Sequence, residues 1–178
     1  DIEPGEALRL VGPETQGVPI ALFRTVLERD PGQTRAIEGT IMAFVETGRY
    51  EDAERMAREF LRRASSVGES DTARIEMWLG EVYLATGRYR EALAALDRAL
   101  AREGWSGFLR ASVQRGRVLW QVGRVEEARE GFQQLRQRAI ERGWHAAEDL
   151  TWMARALAYL DRPHEANDLY AAAIERDP

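Results

Sequence analysis

Between Met77 and Leu100 two apolar-periodic segments are separated by only three residues, Thr86-Gly87-Arg88. A connection that short joins two antiparallel helices. Gly80 on one side and Ala92 and Ala99 on the other leave room for the helices to approach closely. Leu79, Tyr83, Leu96 and Leu100 supply the bulk around those gaps.

The arrangement recurs along the chain. Ile37, Ile41 and Phe44 precede a turn at Thr47-Gly48-Arg49-Tyr50, and Ala53, Ala57, Phe60 and Leu61 follow it. Val113, Gly116, Leu119 and Trp120 precede Gly123, and Ala128, Phe132 and Leu135 follow in a long helix reaching about Arg142. Leu150, Ala154 and Leu157 face Ala166, Tyr170 and Ala173 across Asp161, with Pro163 in the first turn of the last helix. Asp161 serves where glycine stands elsewhere because aspartate enters the left-handed region more readily than most residues. The turn residues Gly48, Gly87, Gly123 and Asp161 follow one another at spacings of 39, 36 and 38 residues.

Between hairpins the punctuation is of two kinds. Ser65 to Ser70 is a polar break, and Asp71 is placed to cap the helix after it. Gly104-Trp105 and Gly143-Trp144 read as a left-handed glycine followed by an apolar residue folding back on the last helical turn. The N-terminal stretch is less regular. Pro4 opens a short helix through Val11, Gly12-Pro13 stops it, and Pro19 begins a second. That second helix carries Ile20, Phe23, Val26 and Leu27 on one face and ends at Asp30-Pro31-Gly32.

This pattern resembles the tetratricopeptide repeat. The family's Leu-Gly-x-x-Tyr is present as Leu79-Gly80-x-x-Tyr83, and Ala92 is followed by Leu96 where the pattern prefers Phe, which Phe132 supplies one repeat later. Trp78 departs from it, directly preceding Leu79 where the pattern has Trp three residues earlier, at Glu76. Ile41 stands where Gly or Ala is preferred, so the first hairpin is expected to pack less closely than the second. The resemblance covers residues 34 to 178 well and 19 to 31 weakly. It implies an all-α, right-handed solenoid of antiparallel helix hairpins, with a degenerate unit over 1–33 and repeats over 34–70, 71–106, 107–144 and 145–178. The family repeat is about 34 residues, so the excess here is expected to lengthen helices or loops after each second helix.

Composition bounds the remaining possibilities. Hydrophobic residues at 44% and charged residues at 31% describe an ordinary folded protein. The absence of Cys excludes disulfides, thiolate metal sites and cysteine nucleophiles. No apolar run is long enough to span a membrane. A net charge of -5 argues against bulk affinity for nucleic acid or anionic lipid. All 25 basic residues are Arg, a choice that either codon usage or forked contact with carboxylates explains. Asp1 in place of Met reads as a processed or excised fragment, and Asp177-Pro178 falls where another repeat could begin.

In a stacked array the outward stripes of the first helices line one concave surface. Counting back from the turn residues places Arg35, Arg74 and Arg110 at one register position of three successive first helices. Met77, Trp78, Trp120, Trp152 and Tyr159 are the large apolar members of that surface, with Arg117 and Arg155 beside them. Trp and Arg are over-represented among binding anchors. An aromatic floor with an arginine edge suits an acidic peptide or partner helix. Two readings of these residues stay open: a binding surface, or aromatics filling the contact between repeats with arginines paired to Glu38 and Glu81. The carboxylate clamp of some family members is matched only at Arg110. Glu38, Met42, Trp78 and Gln114 occupy its other places, so binding of chaperone tails is not expected.

Nothing in the sequence converges on catalysis, a metal or a cofactor. His145 and His164 each stand alone near a helix start, no glycine-rich phosphate loop is present, and most carboxylates lie beside Arg at helical spacing on solvated faces. The expectation is therefore a non-enzymatic scaffold binding a protein or peptide. The alternative is a ligand-sensing or regulatory segment of a larger bacterial protein. A third use is self-association through a terminal repeat, since Leu169, Ala172 and Ala173 would expose apolar surface there.

Overall fold

The computed structural model describes residues 23, 25, 27, 29, 33–63, 68–102, 105, 107–142 and 146–177. The expectations for Pro4 to Ile20, Val26, Asp30 to Gly32, Gly104, Gly143-Trp144 and His145 lie outside the described residues.

Among the described residues, helices with assigned bounds follow in the order α1 Thr34–Glu46, α2 Tyr50–Arg63, α3 Glu69–Ala85, α4 Tyr89–Leu100, α5 Phe108–Gln121, α6 Val125–Arg142, α7 Ala147–Tyr159 and α8 Pro163–Arg176. Among the described residues there is no strand. Phe23, Thr25, Leu27 and Arg29 are also helical. The chain is an all-α, right-handed solenoid of antiparallel hairpins.

One local device makes all four hairpin turns. Gly48, Gly87, Gly123 and Asp161 have φ of 72°, 73°, 79° and 59°. A Schellman pair of hydrogen bonds closes each turn. The Arg49, Arg88, Arg124 and Arg162 amides donate to the carbonyls of Phe44, Tyr83, Leu119 and Leu157, at 2.7, 2.8, 2.9 and 3.1 Å. The turn residue's own amide donates to Val45, Leu84, Trp120 or Ala158. The arginine after each turn then pairs with the acid three residues on: Asp52, Glu91, Glu127 or Glu165. Asp52 lies below the ordinary carboxylate range through hydrogen bonds from Arg49 and then Arg55. Glu91 is lowered by its own backbone amide and then by Arg88, and Glu127 by Arg124.

Packing within a hairpin depends on small residues at the crossing. A Cβ on Gly80 would meet Leu96 Cγ at 2.6 Å, and one on Gly116 would run into the Phe132 ring. Ala92, Ala128 and Ala154 are fully buried at the equivalent contacts. Phe23 is also fully buried, its ring occupying the space where Gly39 would carry a Cβ. Where Ile41 replaces the small residue, α1 and α2 engage less extensively than α3 and α4.

Two local expectations are corrected. Asp71 is not the N-cap of α3: the helix begins at Glu69 behind Gly68, and Asp71 sits in its first turn, where a carboxylate complements the helix dipole. Trp105 is not the residue following a capping glycine of α4, because that helix ends at Leu100 with Ala101 at its C-cap. Trp105 is nevertheless buried, folded over Gly107 beside Met77.

Successive first helices pack on one another (α1 on α3, α3 on α5, α5 on α7), whereas among the described residues successive second helices make no comparable contact. The array therefore curves with its first helices inside.

Candidate binding face on the first helices

The inner face is built from residues at repeating register positions, and neighbouring first helices meet through charged and aromatic groups. Glu38 of α1 receives Trp78 Nε1 at 3.3 Å and lies 3.1 Å from Arg74 Nε, both from α3. Arg74 also pairs with Asp71. One step along, Arg110 of α5 reaches back to Glu81 of α3 at 2.6 Å. Carboxylates of one hairpin thus hold the arginines of the next.

Aromatic rings complete the ladder. The Arg110 guanidinium lies 3.9 Å from the Trp78 ring centroid and 5.4 Å from that of Trp152. Arg155 covers Trp152 at 4.4 Å, and the Trp152 indole nitrogen donates to Glu148 at 3.4 Å. The order Trp78, Arg110, Trp152, Arg155 alternates ring and cation across α3, α5 and α7. Each such contact contributes about 0.5–2 kcal/mol, more as water is excluded. Trp78 and Trp152 are buried at 4% and 7% exposure, so these two rings hold neighbouring repeats together.

Nearer the turns the same face is more open. Trp120 and Tyr159 are half-buried, their ring centroids 5.5 Å apart, and Tyr159 stacks on Phe132 at 5.1 Å. Arg117 donates to Gln114 Oε1 at 2.6 Å. Gln114 is 1% exposed, and its Nε2 has no hydrogen-bond partner among the described residues. Arg155 is exposed. Arg35 is exposed and makes no ion pair with the described residues. Met77 is buried beside Trp105 and Gly107.

The structure therefore brings Trp78, Arg110, Trp152 and Arg155 into one stack and Trp120 and Tyr159 into a second cluster. Arg74 is engaged by α1 and by its own helix, and Arg35 and Met77 stand apart from both groups. Sequence reasoning misses two contributors. Phe132 reads as core alone, yet it also supports Tyr159. The Arg-x-x-acid pairs at every turn are readable as Arg49/Asp52, Arg88/Glu91, Arg124/Glu127 and Arg162/Glu165.

Among the described residues, no group of three or more His, Asp or Glu is placed to hold a metal. No helix among them is long and apolar enough to cross a membrane.

A family model described as tetratricopeptide repeat matches residues 39–108 and again 79–142. The fold is similar to that of TTC0263, a thermophilic protein of this type from Thermus thermophilus. It is 21% identical, with a TM-score of 0.71 over 98% of this chain and 90% of that one. It is also similar to YrrB, described as having an unusual peptide-binding site, at 22% identity and a TM-score of 0.55 over 97% and 83% of the two chains. MamA is similar at 20% identity and a TM-score of 0.54 over 89% and 86%. No curated protein matches the sequence.

Proposed function

This chain belongs to the tetratricopeptide repeat family, and on that premise we propose that it is an interaction scaffold holding a peptide or partner helix along its first-helix face. One observation carries the reading: Arg117, Trp120, Arg155 and Tyr159, on α5 and α7, share the inner face and stay exposed or half-exposed. Amphipathic rings provide apolar contact at low conformational cost, and guanidinium groups provide forked pairing with carboxylates.

The pairing pattern refines which arginines take part. Arg74 and Arg110 already face Glu38 and Glu81, so a partner's acidic groups would have to displace those carboxylates. Arg35, Arg117 and Arg155 have no carboxylate partner among the described residues. Acidic groups of the partner are therefore assigned to these three, while Arg74, Arg110, Trp78 and Trp152 shape the wall behind them. The peptide-binding description of YrrB is compatible with this use of the fold. The clefts between α4, α5 and α6 and between α6, α7 and α8 are lined by residues other than Trp78, Trp120 and Trp152.

The test is fluorescence anisotropy with labelled 12-residue peptides rich in Asp, Glu and Leu. Arg117→Glu with Arg155→Glu is expected to weaken capture by about a hundredfold, roughly one to two pair-interactions of 1–3 kcal/mol. Capture unaffected by the double reversal overturns the assignment.

A further inference from the structure

Two clefts, one between α4, α5 and α6 and one between α6, α7 and α8, are each floored by a first helix and walled by second helices, and the α3/α4 hairpin offers the corresponding positions for comparison. Counting from the turn residue aligns their linings. Eleven residues before the turn stand Glu76, Ser112 and Leu150; eight before it, Leu79, Arg115 and Met153; eight after it, Ala95, Gly131 and Leu169. In the α3/α4 and α5/α6 hairpins ion pairs occupy this region. Glu76, 7% exposed, receives both Nε and an Nη of Arg98 at 2.8 and 2.7 Å, and Arg115 pairs with Asp97 at 2.6 Å. The hydrogen bonds that Arg98 donates to Glu76 hold its guanidinium above the ordinary arginine range.

The cleft between α6, α7 and α8 is different. Leu150 stands where Glu76 and Ser112 do, Met153 replaces Arg115 with a side chain as apolar as Leu79, and Leu169 stands where Gly131 and Ala95 do. The result is an open apolar trough of about 500 Å³ between α6, α7 and α8, against about 200 Å³ for the one between α4, α5 and α6. Its far wall is Ala139 and Ile140, which exist as helix only because α6 runs to 18 residues where α4 has 12. Ile140 is 63% exposed at that edge. An exposed branched side chain beside an apolar trough loses nothing by being covered and gains by leaving water.

The rim selects the occupant. Glu165 is already shared by Arg136, at 3.4 Å, and Arg162. Asp168, on the lip of the trough, is exposed and makes no ion pair with the described residues. We propose that this trough docks a peptide segment of a partner protein carrying aliphatic side chains next to an Arg or Lys, which pairs with Asp168. This site is separate from the first-helix face and of opposite charge preference.

The test uses a panel of labelled, end-blocked 12-residue peptides bearing Leu, Ile or Met at two positions four apart, with either Arg or Glu alongside. Basic members are expected to bind about tenfold more tightly than their Glu counterparts, a difference of about 1.4 kcal/mol. Asp168→Arg, a surface change that leaves the core untouched, should erase or reverse that preference. Met153→Arg, which restores the residue of the preceding hairpin, should remove binding. Arg155→Glu, on the opposite face, should leave it unchanged. Absence of binding by every basic member, or equal binding by the Asp168→Arg protein, overturns the proposal. Sedimentation velocity separates the competing occupant, a second copy offering Ile174 with Arg176. A dimer abolished by Ile140→Asp would assign the trough to self-association and overturn the peptide reading.

Discussion

Arg35, Arg74 and Arg110 occupy one register position, yet the two ends of the inner face treat that position differently. At the α1 end Arg35 projects into solvent with no carboxylate partner among the described residues. Two first helices along, on α5, Arg110 lies against the rings of Trp78 and Trp152 with Glu81 at 2.6 Å. Arg74 is intermediate, held by Glu38 and Asp71 but covered by no ring among the described residues. Register assigns a residue to a face. What the neighbouring hairpin presents decides whether it is structural or free.

The comparison can be broken first at its foundation. If the inner face exists because hairpins nest closely, Gly116→Leu should disrupt it most, since any Cβ there strikes the Phe132 ring. The expected loss is about 3 kcal/mol or more in urea denaturation, typical of overpacking a tight contact. Gly131→Leu, with nothing within 4 Å of its added Cβ, should cost far less and serves as the matched control.

Arg110→Ala comes next. It leaves Glu81, 21% exposed, without its partner and separates two buried rings. A loss of about 2 kcal/mol is expected, below that of a fully buried pair. Arg74→Ala should cost about 1 kcal/mol, as Trp78 still donates to Glu38. Arg35→Ala should stay within about 0.5 kcal/mol. Equal losses at the three positions would show that register alone sets their roles.

The smallest effect is the pH response of the turn pairs. Asp52, Glu91 and Glu127 are held below the ordinary carboxylate range in the folded chain. Their contribution is therefore complete above their unfolded pKa values and is lost as pH falls through the depressed folded ones. Stability should decline below about pH 4, and Glu127→Gln with Glu91→Gln should make that decline shallower. An unchanged acid limb in thermal melts would show that these exposed pairs contribute nothing.

Much of the architecture was legible because the decisive interactions are local. Gly48, Gly87, Gly123 and Asp161 mark their turns by needing a left-handed backbone, and Gly80 with Leu96 or Gly116 with Phe132 announces a crossing by its paired small and large side chains. The errors were local as well: helix ends at α3 and α4 shifted by a few residues, which reassigned Asp71 and Trp105. The exposed lip of the cleft between α6, α7 and α8 was less visible. It required aligning Leu150, Met153 and Leu169 with their counterparts and knowing that α6 continues past them.

What the sequence determined by itself is the hairpin, because turn chemistry and side-chain volume act over a few residues and report themselves in order along the chain. Only the tertiary structure decided which side chains of the inner face are wall and which remain available. Trp78 is buried and Trp120 half-open although both lie on that stripe. Packing of α5 on α3 covers Trp78, nine residues before its turn, and leaves Trp120, three before its own, at the open end of the face. That placement brings Arg110 of one repeat onto Trp78 of the last, a contact between residues no local pattern connects.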